Sequence, residues 1–477
     1  MNLYRKILEE IGDYAGPAVI DRGRTTDYPD LFRRTGLAAE RLGRFGVVPG
    51  ANVAILADDS LEYIVLSLAV LSMDAAIVPV SSRASEEERD AILREMRINF
   101  LLCTEPWRKP GDMEIPGEDC LYDRCYLRSL DPKIEPIALP GGRTAAFIRF
   151  SSGTTGKNKG VVLSHESVIG RTDACEELGV TRGENVFWVL DMAFHFVVTI
   201  LLFLRKGACI VICPPPVEAN MAAVLRDHPV QLLYATPYHY KLMTASESIL
   251  PEYLSHVRRA FSTAMKLTPA DAEAFRAKFG HPLTQAYGII EVGLPCVNTS
   301  GAPEKAASVG RLQPAYRLML KEADPETGAG RILLRGPGFF EAYLSPFRTR
   351  DEVCEDGYFD TGDIGYVDPD GYLFITARAK NLINFSGMKI FPYEVENVLL
   401  EHPWVRECRV SGKPAGSFGE VPEAEIVPTE GLVLPDEWIQ VLREFCYRKL
   451  AAYKVPKFFQ IVSSLPRTTS GKLVRKR

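Results

Sequence analysis

The sequence has no CxxC pair, no surplus of basic charge, no internal repeat and no low-complexity stretch. Four residues separate Cys120 from Cys125, three separate Cys209 from Cys213, and neither pair has a histidine nearby. The ten cysteines therefore read as reduced thiols of a cytoplasmic protein. A net charge of −5 leaves no global positive field for nucleic acid. No segment matches GxxxxGK[ST], which excludes a P-loop nucleotidase. The first residues, MNLYRKILEEIGDY, are charged and amphipathic and do not form a secretory signal. One long apolar run, Val186 to Leu204, imitates a membrane span, but Asp191 and His195 fall inside it. An ionised acid there costs about 2.5–3.5 kcal/mol, so the run is read as strand, loop and helix within a core, with no integral membrane association.

What is present is an ordinary foldable composition: 46% hydrophobic, 25% charged and 10% aromatic over 477 residues. Such a chain buries several cores and is neither disordered nor a small disulfide-stapled fold. Apolar, β-rich runs recur at 53–57, 75–80, 100–103, 145–150, 208–213 and 231–236. Helical patterns at Leu61 to Ser72, Ser85 to Met96 and Thr268 to Phe279 lie between or after them, the last opening with a threonine cap and proline at the first position. Strand–helix alternation predicts βαβ units and largely parallel sheets. From about Gly330 the texture changes to short strands and turns, with Asp370-Gly371 as a hairpin signal. A further α+β piece follows, with helices predicted over 392–400 and 435–450. From Arg443 onward Glu444 is the only acid in a basic stretch.

The segment Phe150-Ser-Ser-Gly-Thr-Thr-Gly-Lys-Asn-Lys-Gly-Val161 follows the apolar strand AAFIRF. Its glycines let consecutive N–H groups converge on an anion, while Ser151, Ser152, Thr154 and Thr155 add hydroxyl donors and Lys159 adds a positive charge. That chemistry suits a polyphosphate; composition alone equally suits a polar surface loop.

The run resembles the signature of the adenylate-forming superfamily, which includes acyl-CoA synthetases, luciferases and amino-acid adenylation domains, with Asn158 in place of the usual proline. Further motifs follow in family order: Gln285-Ala-Tyr-Gly-Ile-Ile-Glu291, Tyr358-Phe-Asp-Thr-Gly-Asp363, Ala377-Arg-Ala-Lys380 with Gly387, LAAYKVP from Leu450, and Pro466-Arg-Thr-Thr-Ser-Gly-Lys472. The resemblance covers effectively the whole chain. It implies ATP, Mg²⁺ and coenzyme A. Ser151, Ser152, Gly153, Thr154, Thr155, Gly156 and Lys159 would hold the phosphates, and Glu291 the metal. Tyr287 would stack on adenine with Ala264 beside it, Gly288 would join the nucleotide site, Asp363 would accept from the ribose hydroxyls, and Arg378 would meet the ribose or phosphate region. Lys472 would bridge the carboxylate and α-phosphate as charge builds, and Lys380 would be the hinge on which Ser386 and Gly387 reach a thiol tunnel.

Ala193-Phe194-His195-Phe196 has no acid where amino-acid-activating members keep one, which disfavours an amino-acid substrate. His195 is assigned a catalytic and pocket role, with Phe196 and Tyr238 as pocket walls beside Trp188, Phe194 and Tyr234; a core role is the alternative for each. Ile290 replaces a threonine whose hydroxyl would meet the α-phosphate, a loss of about 1.5–3 kcal/mol. Thr263-Ala264-Met265-Lys266 departs from the family's Gly-Gly-Ala-Pro run.

The expectation is an α/β protein. A large N-terminal domain, residues 1–379, has βαβ-type sheets flanked by helices and a small β-barrel-like subdomain. A small mobile α+β lid spans 380–477. The expected reaction joins a fatty or aromatic carboxylic acid to coenzyme A through an acyl-adenylate. The compact segment between Glu291 and Arg335 favours CoA over an acyl carrier protein as acceptor. A degenerate nucleotide-binding homologue is the rival from another class. Monomer and homodimer both remain open.

Overall fold

The computed structural model describes residues 1–117, 121–152, 158–385, 388–416, 419–467 and 473–474, with the side chains of 151, 152, 158 and 389 also left out. By internal packing the chain forms two compact units, 1–317 with 334–359, and 318–333 with 360–477. The packing division thus falls ahead of the expected boundary at Lys380. Residues 360–379 join the second unit because Ile364 and Ala377 pack with Ala329 against Tyr366, Leu382 and Phe391.

Local signals in the sequence account for the elements. Leu61–Ser72 is a helix capped by the Ser60 side chain and buried nearly all round, as a continuous apolar run requires. Glu86–Glu95 opens with a reciprocal capping box between Ser85 and Glu88. Thr268 caps Pro269–Phe279 by accepting from the Asp271 N–H. Asp370 and Gly371 sit in the turn that pairs Phe359–Val367 antiparallel with Tyr372–Arg378.

The first unit holds two large sheets. One runs in the order Phe347–Thr349, Ala342–Leu344, Asn158–Ser164, Ala145–Ser152, Ala76–Ser81, Asn52–Ala57, Phe100–Thr104, Cys125–Ser129, Met113–Ile115. Its centre is parallel, and an antiparallel hairpin joins Ala145–Ser152 to Asn158–Ser164. The other is built around parallel strands Pro17–Asp21, Cys209–Ile212, Asn185–Trp188, Leu232–Ala235, Arg259–Ser262 and Leu283–Ile289, then turns antiparallel into Gly293–Val297 and Gly310–Leu312. The second unit has a three-stranded sheet, Val405–Pro414, Glu420–Pro428 and Phe458–Ile461. Helices Pro392–Leu400 and Trp438–Tyr447 supply its core through Val395, Leu399, Leu442 and Cys446.

The membrane-like run resolves into Asn185–Trp188, a short helix Met192–His195, a π-helical turn Phe196–Ile200 and Leu201–Arg205. Among the described residues no helix is long and apolar enough to cross a membrane. The described cysteines are all free thiols, and all but Cys354 are buried.

Candidate active site

The phosphate-loop segment connects two paired strands, with Ser151 opposite Lys159 and Ser152 opposite Asn158. Gly153, Thr154, Thr155 and Gly156 lie outside the described residues, as do Ser386, Gly387 and Lys472. Lys159 is described. Its Nζ stands 4.5 Å over the ring of Tyr343, which the neighbouring strand Ala342–Leu344 places there by pairing with Asn158–Ser164.

Tyr343 joins this lysine to the carboxylate motif. Its hydroxyl donates to Glu291 Oε1 at 3.1 Å. Burial, then the Glu291 charge, pushes the phenol well above its ordinary value, so it stays a neutral donor. Glu291 lies in the tight turn between Leu283–Ile289 and Gly293–Val297. The turn is tied from outside: the Glu291 carbonyl accepts from Phe340 N–H at 2.8 Å, and the Ile290 carbonyl accepts from Arg171 Nη1 at 3.0 Å. The same guanidinium donates to the Gly338 carbonyl from Nε at 3.0 Å and Nη2 at 2.6 Å. Arg171 is only 2% exposed, and burial lowers its pKa to about 10. Gly338 has φ of 73°, and a Cβ there would meet Arg171 N at 2.3 Å, so this close approach requires glycine.

Tyr287 and Gly288 precede this turn; Tyr287 is buried opposite Cys296, and Gly288 presents backbone to solvent. Ala264 follows the strand Arg259–Ser262 in a left-handed conformation, φ 67°, rare for a residue with a Cβ. Tyr234 is fully buried, with its hydroxyl bonded to Thr263 Oγ1 at 3.2 Å.

His195 ends the helix Met192–His195, its ring edge-on to Trp188 at 6.3 Å. Phe196 is 0% exposed and packs on Tyr63 at 5.7 Å, and Tyr238 is 51% exposed with its hydroxyl bonded to Glu218 at 3.0 Å. An acid pair sits at the start of the same helix. Met192 N–H donates to Asp59 Oδ1 at 2.7 Å; Asp191 accepts from Ser81 Oγ at 2.5 Å and from Ala193 N–H at 2.9 Å. Burial first, then the Asp191 charge, holds the Asp59 carboxyl well above the usual range.

In the second unit Asp363 is 3% exposed and opposite Arg378, whose Nε lies 2.6 Å from Asp363 Oδ1 and whose Nη1 donates to the Thr361 carbonyl at 3.1 Å. Lys380 lies in the single turn Ala379–Asn381. Sequence reasoning missed Tyr343, Arg171, Asp59 and Arg149. Only Arg149 carried a signal, a charge inside an otherwise apolar strand ahead of the phosphate motif.

Residues 14–344 match the family described as AMP-binding enzyme, and residues 394–472 match its C-terminal domain. A probable 4-coumarate–CoA ligase of Dictyostelium discoideum is 32% identical over 354 residues, 70% of this chain and 63% of that protein. An oxalate–CoA ligase of Arabidopsis thaliana is 28% identical over 94% of this chain and 91% of its own. The crystal structure of ATP-bound MatB from Rhodopseudomonas palustris shares the fold, with a TM-score of 0.85 at 24% identity over 99% of this chain and 97% of that one.

Proposed function

The chain belongs to the AMP-binding enzyme family, and from that premise we propose that it is an AMP-forming acid–CoA ligase acting on a fatty or aromatic acid. The observation that carries the reading is the Lys159–Tyr343–Glu291 array, in which one phenol meets a cation over its ring and a carboxylate at its hydroxyl, beside the strands that the phosphate motif joins. The acid's carboxylate oxygen attacks the α-phosphorus of ATP, the bond to the β-phosphate oxygen breaks, and pyrophosphate leaves. The CoA thiol, losing its proton, then attacks the acyl carbon; the bond to AMP breaks, leaving a thioester.

Lys159 and the hairpin loop are assigned the departing phosphates. Glu291 has one oxygen fixed by Tyr343 and is a hard oxygen donor on a tied turn, which suits a divalent cation such as Mg²⁺. Such an ion neutralises phosphate charge as it develops. Asp363, already aligned by Arg378, is assigned the ribose hydroxyls. Lys472 is assigned the developing charge at the α-phosphate, with Lys380 as the pivot that withdraws it and brings Ser386 and Gly387 to the thiol. Family relatives named as ligases of coumarate and oxalate with CoA support the reaction class. The absence of an acid at Phe194–Phe196 supports a substrate without an ammonium group.

Acid-dependent exchange of labelled pyrophosphate into ATP, run over fatty, aryl and amino acids, tests the reading, with CoA and a holo carrier protein as alternative acceptors. Exchange with a fatty or aryl acid followed by CoA thioester is expected. Tight ATP binding with no exchange for any acid would sink it.

A further inference from the structure

Arg149 lies on Ala145–Ser152, opposite Val161 and two residues before Ser151 in the same strand. Its guanidinium stands 5.1 Å over the Phe194 ring, and Nη1 donates to the Phe194 carbonyl at 3.1 Å. That is its one hydrogen bond among the described residues; Nε is sealed from solvent and has no partner there. The charges of Glu291 and Asp191 act on it, yet among the described residues neither forms an ion pair with it. Their oxygens are engaged elsewhere, Asp191 by Ser81 and Ala193, and Glu291 Oε1 by Tyr343.

A half-buried guanidinium with one carbonyl acceptor and a sealed, unpartnered Nε carries a desolvation cost that no counter-ion repays. Its planar fork matches the oxygens of a carboxylate or a phosphate. Resting on the ligase reading above, we propose that Arg149 is a catalytic residue that binds the reacting anion, the acid's carboxylate or the α-phosphate it attacks. It is bonded to the carbonyl of Phe194, next to His195, and lies within reach of the Glu291 charge. Negative charge that builds at the pentavalent phosphorus meets a cation already in place.

Arg149→Gln and Arg149→Lys are the test, with three readouts: exchange kinetics, AMP affinity by calorimetry, and thermal unfolding of the ligand-free protein. Gln is expected to lower exchange kcat/KM on the order of 100-fold, as loss of a preorganised donor does, and Lys to recover about a tenth of the wild-type value. A raised acid KM with unchanged AMP affinity identifies the carboxylate as the anion; weakened AMP binding identifies the phosphate. Ligand-free Arg149→Gln is expected to melt at or above the wild-type temperature, since an uncompensated charge has gone. A residue that merely props up Phe194 would lower both stability and exchange. Gln exchange within about threefold of wild type with unchanged AMP binding, or a lower melting temperature with no recovery by Lys, overturns the proposal. Wild-type protein that binds AMP but exchanges with no acid overturns the ligase reading, and the AMP arm then decides Arg149 by itself.

Discussion

Tyr343→Phe isolates the link between the phosphate hairpin and the Glu291 turn. The substitution removes one oxygen and keeps the ring that carries Lys159 Nζ at 4.5 Å and packs against Phe340 at 4.8 Å. What is lost is the 3.1 Å bond to Glu291 Oε1. A hydrogen bond to a charged group contributes about 1.5–3 kcal/mol, and the low end applies because Glu291 is partly exposed and water can refill the site. About 1.4 kcal/mol is a tenfold change in an equilibrium constant. If the phenol orients Glu291 for the metal, exchange titrated with Mg²⁺ at fixed ATP should need about tenfold more metal for half-maximal rate. The melting temperature should change little, because the buried ring stays. Tyr343→Leu should lose more, since the cation–π contact and the Phe340 ring pair each add about 0.5–1 kcal/mol. A Phe variant whose Mg²⁺ titration overlays the wild type refutes the orienting role. So does one that loses as much stability as Leu, for the oxygen would then be serving the fold.

Arg171→Gln strands the carbonyls of Ile290 and Gly338; at about 1–3 kcal/mol each, a loss near 3 kcal/mol is expected in urea unfolding, and a change under 1 kcal/mol would show that the turn holds itself. Asp59→Asn tests the buried acid pair through pH. The folded state keeps the Asp59 proton above the unfolded value of about 3.9, so it binds more protons than the unfolded chain in that window, and wild-type stability falls as pH rises through it. Asn keeps an acceptor for Met192 N–H and has nothing to ionise, so the variant should match wild type near pH 4 and exceed it near pH 8; an equal deficit at both pH values contradicts the pair. Lys472→Ala should lose exchange on the order of 100-fold and still form thioester from supplied acyl-adenylate, while Lys380→Pro should do the reverse. Equal loss of both half-reactions in either variant argues against a swing.

Local signals were enough for helices such as Leu61–Ser72, an apolar run capped by Ser60, and Pro392–Leu400, which opens on its proline, where the residues that decide the structure are neighbours in the chain. The order of motifs likewise singled out Glu291 and Asp363 without reference to contacts. Alternation along a strand, in contrast, tells which residues share a face and not what lies opposite. Tyr343 reaches Lys159 only because Ala342–Leu344 docks on a strand some 180 residues earlier. The Asp59–Asp191 pair depends on the approach of two elements more than 130 residues apart. Phe196 and Tyr238 show the same limit from the other side. Both are aromatic and both fall near the acid-pocket motif, yet one is sealed against Tyr63 and the other stands half in solvent.

The charges around the hairpin also explain why one unit should need help from elsewhere on the chain. Burial disfavours the charged form of Asp59, which shares this region with the acids Asp191 and Glu291 and the cations Arg149 and Lys159, so the set carries no clear surplus of positive charge without substrates. ATP and a carboxylate, even with a divalent cation, add net negative charge to an apolar surround, and bringing the two anions together is the step that a low dielectric penalises most. A further cation is required at that moment and becomes a hindrance once pyrophosphate has gone and a neutral acyl carbon awaits a thiol. On the role proposed for Lys472, a lysine in the 360–477 unit would meet both demands, where a fixed one would meet only the first. On this argument raising the salt concentration should slow exchange more in Lys472→Arg, whose guanidinium cannot sit as a compact point charge, than thioester formation from supplied acyl-adenylate. Equal salt sensitivity of the two half-reactions would mean that charge balance is not what divides the labour.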